Sequence, residues 1–146
     1  MLIEFRERFE LPVGQVFAYF RSPRDWARLY GLAGTVRDLG DGWIAVPLKS
    51  FPFPLVAKNT EVRPDAYVRW VFRGFWAGTG EVRFTGSDGA TLVEGYERIG
   101  IRWLGPLSRP VEKLFLEQQF RAIWALGWRR LRRSAGSARP VARQHD

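Results

Sequence analysis

The sequence predicts an α+β fold in which a curved antiparallel sheet of about seven strands wraps around one long C-terminal helix. Three observations support this prediction. Residues 35–101 contain strand-like segments separated by turns, with no helical stretch between them. Residues 106–134 form the one long amphipathic segment that the chain offers. Two short helices are expected between the first strand and the rest of the sheet.

The N-terminal region is expected to form a strand and then the two short helices. In residues 2–10 apolar and charged side chains alternate, which predicts a half-buried strand with Glu7 on its inner row. Pro12 opens the first helix, in which apolar residues keep a helical spacing as far as Phe20. Residues 22–25, Ser-Pro-Arg-Asp, have the form of a capping box and begin the second helix.

Six further strands are expected in the central part of the chain, at residues 35–39, 43–49, 55–63, 66–73, 79–85 and 90–101. Most of the intervening segments are polar turns. Residues 50–54 contain two prolines and residues 74–78 contain two glycines, so both are predicted to be loops.

Apolar residues are predicted to concentrate in the connections at one end of the sheet. Alternate connections of an antiparallel meander share an end, and residues 31–34, 50–54, 74–78 and 103–107 are all apolar and rich in Gly or Pro. Such a concentration is unusual at a solvated surface. It favours a cavity entrance or a membrane or protein contact; alternatively, the aromatic side chains fold inward and plug this end. The predicted entrance residues are Phe51, Phe53, Phe75, Trp76 and Leu104.

The C-terminal helix has a wide apolar arc, which predicts that the rest of the fold surrounds it. Gln119 is expected near the centre of this arc, with Glu117 and Arg121 on the opposite side. A buried glutamine needs a protein partner, or space for water or a ligand. The predicted apolar face comprises Phe115, Leu116, Phe120, Ala122, Ile123, Leu126 and Gly127.

Composition excludes several kinds of site. The chain has no cysteine, and its one histidine, His145, is the second-last residue, so the domain has no Cys-His or Ser-His pair and no His/Cys metal cluster. No uncharged apolar run reaches the roughly 18 residues of a membrane span, and we expect no signal peptide. We therefore expect a cytoplasmic protein without metal or cofactor. Three lysines beside 20 arginines are typical of a GC-rich bacterial genome.

The positive charge is concentrated at the C-terminus. Residues 121–146 contribute +6 of the formal net charge of +8. This distribution favours a solvated helix end, where cations also interact well with the helix dipole. Contact with anionic lipid or nucleic acid is the alternative, and nucleic acid is the less expected partner. We predict one domain at residues 1–134 and a flexible basic tail at residues 135–146.

Few ionisable side chains are predicted to face the interior, namely Glu7, Lys58 and Glu97. Glu7 and Glu97 are weak candidates for catalysis, because desolvation would raise the pKa of either carboxyl and allow it to act as a general base. A strand end that reaches water, or an ion pair between Lys58 and a glutamate, would explain the same residues without chemistry. The predicted ligand-binding residues are Lys58, Trp70, Phe72, Phe115, Gln119 and Ala122.

The opening segment IEFRERFELPVGQVFAYFRSPRDWARLYG and the closing segment EQQFRAIWALGWRRLRR resemble the START-like helix-grip superfamily (SRPBCC). This superfamily includes polyketide cyclase/dehydrase, lipid-transfer and birch-pollen-allergen-like domains. The resemblance covers about residues 2–134 and carries no catalytic signature. It implies a helix-grip fold with a hydrophobic cavity between helix and sheet, closed in ligand-binding members by the loops that match residues 50–54 and 74–78.

Three functions remain open at this point. The first is carriage or sensing of a hydrophobic small molecule, such as a lipid, an isoprenoid or a polyketide-like compound. The second is a cyclase- or dehydrase-type enzyme that uses an inward carboxylate. The third is a protein, membrane or RNA interaction module that uses the apolar loop end or the basic helix end.

Overall fold

The computed structural model describes residues 1–30, 36–48, 53–102, 110 and 116–137. They form the predicted α+β architecture. The strands are β1 (Leu2–Phe9), β2 (Arg37–Gly40), β3 (Trp43–Val46), β4 (Leu55–Arg63), β5 (Tyr67–Arg73), β6 (Trp76–Ser87) and β7 (Ala90–Ile101). The helices are α1 (Val13–Phe17), α2 (Pro23–Ala27), which continues into a short 3-10 helix, and α3 (Glu117–Ser137).

All seven strands belong to one antiparallel sheet in the order β1-β7-β6-β5-β4-β3-β2. β2 to β7 form a meander, and β1 pairs with β7, so β1 and β2 are its two edges. Three of the turns place an aspartate in the left-handed backbone region, at Asp41, Asp65 and Asp88. Aspartate tolerates this conformation better than most residues, which explains the polar turns expected from the sequence.

The segment 74–78 is not the loop that the sequence predicts. β6 already begins at Trp76, which pairs with Ile101 of β7. Only Gly74, with φ of +86°, and Phe75 form the turn. Gly78 lies within the strand, where a side-chain Cβ would overlap the carbonyl oxygen of Arg98. The absence of a side chain at Gly78 therefore permits the close approach of β6 and β7. This explains why a segment that belongs partly to a strand contains a glycine that is typical of a loop.

The buried face of α3 is displaced from the predicted arc. Its buried side chains are Leu116 just before the helix, then Phe120, Trp124, Trp128 and Leu131. Gln119 and Ala122 are exposed, so their predicted place at the centre of the buried arc is wrong. The helix instead turns its two tryptophans inward, because two indoles remove far more apolar area from water than small residues do. Phe115 lies outside the described residues.

Aromatic contacts hold α3 against the inner face of the sheet, the face that this helix covers. Trp124 stacks on Phe5 of β1 with ring centroids 4.7 Å apart, and on Trp128 at 5.2 Å. Trp128 also contacts Phe9 at 5.7 Å. Each such ring pair contributes about 0.5–1.5 kcal/mol beyond its buried area. Further ring contacts join Trp124 to Trp70 of β5 at 6.4 Å and Phe120 to Trp76 of β6 at 5.2 Å, so α3 packs across the inner face from β1 to β5.

The short helices begin as predicted. The backbone N–H of Asp25 donates to Ser22 Oγ at 3.3 Å, which confirms the cap at the start of α2. The side-chain amide of Asn59 on β4 donates to the carbonyl oxygens of Phe20 at 3.3 Å and Arg21 at 2.8 Å. These bonds fix the segment between α1 and α2 over β4.

α3 continues to Ser137, beyond the predicted domain boundary at residue 134. Residues 138–146, most of the predicted flexible tail, lie outside the described part of the chain. Among the helices that the structure describes, none has the length and hydropathy needed to cross a membrane.

Gly80→Ala should destabilise the fold. A Cβ at Gly80 would overlap the indole of Trp70, which lies across this position. Forcing the ring aside should lower the free energy of unfolding by about 1–3 kcal/mol. Urea denaturation followed by circular dichroism would measure the change.

Gly14→Ala in α1 is the matched control, because its Cβ would meet nothing closer than Asp65 Oδ1 at 3.7 Å. It should be neutral or slightly stabilising. Equal effects of the two substitutions would contradict the close contact between Gly80 and Trp70.

Candidate functional site

A buried carboxyl lies on the inner face of the sheet. Glu97 of β7 is 5 % exposed. Strand register places Gly80 of β6 beside it and Trp70 of β5 beyond. Because Gly80 has no side chain, the indole of Trp70 lies over that position and extends toward Glu97. One glycine thus brings an aromatic ring and a carboxyl together from strands that are not neighbours.

This carboxyl borders a small void between the sheet and α3. The void is lined by Phe20, Trp26, Leu55, Trp70, Glu97, Phe120, Ile123 and Trp124. Its volume is about 10 Å³, which is room for about one water molecule. The lining is aromatic or aliphatic except for the carboxyl and the indole N–H groups. The site therefore combines an apolar surface with one ionisable group.

Buried polar groups at the site are incompletely paired. Trp124 Nε1 donates to Glu97 Oε1 at 3.4 Å. Trp70 Nε1 is buried without a hydrogen-bond partner among the described residues, and the same holds for Oδ1 of Asn59. Asn59 is the register partner of Trp70 on β4 but does not line the void. Buried groups without a partner are rare in folded proteins, so the N–H of Trp70 marks a place where a bound polar group would be satisfied.

Burial raises the pKa of Glu97 from its ordinary value of 4.5 to about 7. The indole N–H groups of Trp124 and Trp70 partly oppose this rise in pKa. The N–H of Trp70 lies near the carboxyl but does not form a hydrogen bond with it. The carboxyl is therefore divided between its protonated and ionised forms near neutral pH. It can both donate and accept a proton there.

Glu7 lies on the inner row of β1, as predicted, but away from this site. Its carboxylate forms an ion pair with Arg132 of α3, whose guanidinium also lies 5.2 Å from the ring of Phe9. The side chain of Glu7 is 27 % exposed and that of Arg132 is 49 % exposed. Glu7 does not line the void. Its position supports a role in seating α3 rather than in chemistry.

The predicted inward orientation of Lys58 is wrong. Its ammonium lies 5.9 Å from the ring of Trp43 on the outer face, the face of the sheet opposite α3. A β-bulge between Asn59 and Glu61 explains the error. The bulge changes the phase of β4, so Val62 pairs with the buried Val68 while Lys58, before the bulge, points outward. The expected ion pair between Lys58 and an inward glutamate is therefore absent from this site.

The remaining predicted ligand-binding residues divide into two groups. Trp70 and Phe72 are buried, as expected, and of these Trp70 lines the void. Gln119 and Ala122 are on the exposed side of α3. Sequence reasoning missed Trp124 and Asn59. The four-residue spacing of Leu116, Phe120, Trp124 and Trp128 was the available signal for the helix, whereas no local signal marks Asn59.

The described entrance residues form an aromatic chain that leads inward. Phe53 is 45 % exposed and stacks on Phe75 with centroids 4.0 Å apart. Trp76 lies beneath them, 5.1 Å from Phe75 and 5.2 Å from Phe120. Trp76 is fully buried, so it does not lie at the surface of an entrance as predicted. This packing agrees with the alternative that the aromatic residues fold inward. Phe51 and Leu104 lie outside the described residues.

The stability of the protein should fall as Glu97 ionises. Its pKa is higher in the folded protein than in the unfolded chain, so its stabilising contribution is complete below about pH 4.5 and is lost as the pH rises through about 7. Glu97→Gln removes this dependence. Between these two pH limits the free energy of unfolding of the wild type should fall by about 3 kcal/mol relative to the variant.

Urea denaturation across this pH range would measure the difference. Glu94→Gln, at an exposed ion pair with Arg6, is the matched control and should follow the wild type. Parallel pH profiles for the wild type and Glu97→Gln would show that burial does not perturb this carboxyl.

Comparison with known proteins identifies the fold. No protein-family model matches the chain. No curated protein matches its sequence significantly. A conserved protein from Geobacillus kaustophilus matches with a TM-score of 0.73 and 9% identity, over 94% of this chain and 96% of that one. The Aha1 dimer from Colwellia psychrerythraea matches with a TM-score of 0.67 and 11% identity, over 92% and 96%. Ara h 8.0201 matches with a TM-score of 0.61 and 12% identity, over 90% and 97%.

These matches extend over nearly the whole of each chain at very low identity, so they establish the likeness of the folds alone. They agree with the strand order, the two short helices after β1 and the long helix across the inner face. The chain therefore has a helix-grip fold, which it shares with these proteins.

Proposed function

We propose that the protein binds a hydrophobic small molecule between the inner face of the sheet and α3, with the polar group of the molecule at Glu97. Glu97 carries this proposal, since it is buried against a void whose other walls are apolar. A buried carboxyl is destabilising unless it is paired, and the described lining offers it no cation. Apolar pockets with a few convergent polar groups are typical of ligand sites. Proteins of this fold generally bind hydrophobic small molecules.

Binding requires the site to open. The void of about 10 Å³ is far smaller than the ligand pockets of several hundred Å³ that proteins commonly use. Trp70 and Leu55 stand on strands held by the backbone ladder. Ile123 is half-buried, and Trp26 belongs to the short helix α2. The walls formed by α2 and α3 should therefore yield more readily than the sheet.

Ile123→Phe should reduce binding, because the added ring fills the space beside Glu97. Native mass spectrometry of the purified protein, followed by organic extraction, would measure the bound fraction. We expect a hydrophobic molecule on the wild type and a lower occupancy on Ile123→Phe, whose dissociation constant should rise at least about fivefold, the change expected when a pocket loses roughly 1 kcal/mol of binding.

Ala122→Phe adds the same ring to the exposed side of the same helical turn, and should leave occupancy unchanged. Equal losses in the two variants would place the ligand elsewhere. A wild-type protein that carries no molecule and takes none from a lipid extract would refute the proposal.

An enzymatic function is the second candidate, favoured by the raised pKa of Glu97, about 7. A carboxyl of this kind can transfer protons at neutral pH in a cyclase- or dehydrase-type reaction. Incubation of the extracted molecule with the wild type and with Glu97→Gln, followed by mass analysis, would test it. Conversion by the wild type alone would support catalysis, whereas recovery of the unchanged molecule from both would favour carriage.

A further inference from the structure

The charges around the void restrict the chemistry of a bound molecule. Its walls come from every element packed there: Phe20 after α1, Trp26 of α2, Leu55 of β4, Trp70 of β5, and Phe120, Ile123 and Trp124 of α3. Among these described lining residues Glu97 is the only ionisable group. Lys58, the one cation predicted here, is on the outer face. An anionic group placed in the void would therefore meet a carboxyl and no counter-ion from these residues.

Glu97 has unused capacity to accept hydrogen bonds. Its Oε1 accepts from Trp124 at 3.4 Å, and the other oxygen makes no hydrogen bond with the described residues. This oxygen can accept from a donor on a bound molecule, and a cationic donor makes the stronger hydrogen bond to a carboxylate.

The aromatic lining favours the same kind of group. Trp26, Trp70 and Trp124 contribute three indoles to the walls. The faces of aromatic rings attract cations, and Trp does so most strongly. Ionisation of Glu97 beside a cation would also give the orphaned N–H of Trp70 a better acceptor nearby.

We propose that this site selects apolar molecules that carry an amine and rejects those that carry a carboxylate. The inference rests on the binding function proposed above. The ammonium group lies against Glu97, and the hydrocarbon part lies against the indole and phenyl rings.

Proton linkage follows from this arrangement. Glu97 is mostly protonated below its pKa of about 7, and it must lose that proton to pair with an ammonium group. Binding of an amine therefore releases a proton at about pH 6 and releases almost none at about pH 8.5. The affinity for the amine rises between these pH values, as long as the amine itself stays protonated.

Three probes with one ring system test the selectivity: naphthylmethylamine, naphthylmethanol and naphthoic acid. Isothermal titration calorimetry in buffers of different ionisation enthalpy gives both the affinity and the protons released. At about pH 8 the amine should bind at least about tenfold more tightly than the alcohol, and the acid should bind most weakly. Glu97→Gln should lower the affinity for the amine about tenfold and change that for the alcohol by less than about threefold.

Glu81→Gln is the matched control, because Glu81 lies on the outer face and accepts a hydrogen bond from Tyr67 at 2.6 Å. It should bind all three probes as the wild type does. Equal or tighter binding of the alcohol or the acid would overturn the inference and leave the binding function standing. An amine preference that survives in Glu97→Gln would overturn it equally. Failure of all three probes to bind the folded wild type would overturn the inference and count against the binding function too.

Discussion

The contact between the tryptophans of α3 and the phenylalanines of β1 is the interaction on which the arrangement of this molecule depends. Trp124 stacks on both Phe5 and Trp128, which also contact each other at 5.3 Å, so this cluster of three rings fixes the rotation of the helix and its distance from the sheet. The same ring donates its N–H to Glu97 and forms a wall of the void. Trp124 therefore belongs both to the packing of α3 on the sheet and to the site. The helix cannot rotate on the sheet without changing the environment of the Glu97 carboxyl.

The glycines of β6 impose a second constraint. Gly80 makes room for Trp70, and Gly78 allows β6 and β7 to approach closely. A side chain at either position would separate groups that now touch. The wide indole and the buried carboxyl can thus lie in one row across the sheet, although neither belongs to a strand adjacent to the other.

The architecture is predictable from the sequence because the alternation of strands and the spacing of apolar residues in the long helix recur over many residues. β7 is twelve residues long, and Val93, Ile99 and Ile101 fall in the same row as Glu97, which is why the sequence places Glu97 on the inner face. Lys58 was misplaced because one bulged residue reverses the phase of β4, and a bulge leaves no reliable mark in a single sequence. Gln119 is misplaced because the predicted arc leaves out Trp124 and Trp128. Their four-residue spacing from Leu116 and Phe120 marks the face that the structure buries.

The tryptophans also form a chain of closely spaced chromophores. Trp70 lies 6.4 Å from Trp124, which lies 5.2 Å from Trp128, with interplanar angles of 36° and 25°. At such separations the electronic transitions of indoles couple, and the sign and size of the resulting exciton band depend on the angles between the rings. The exciton band of these tryptophans therefore depends on the position of α3 relative to β1 and β5.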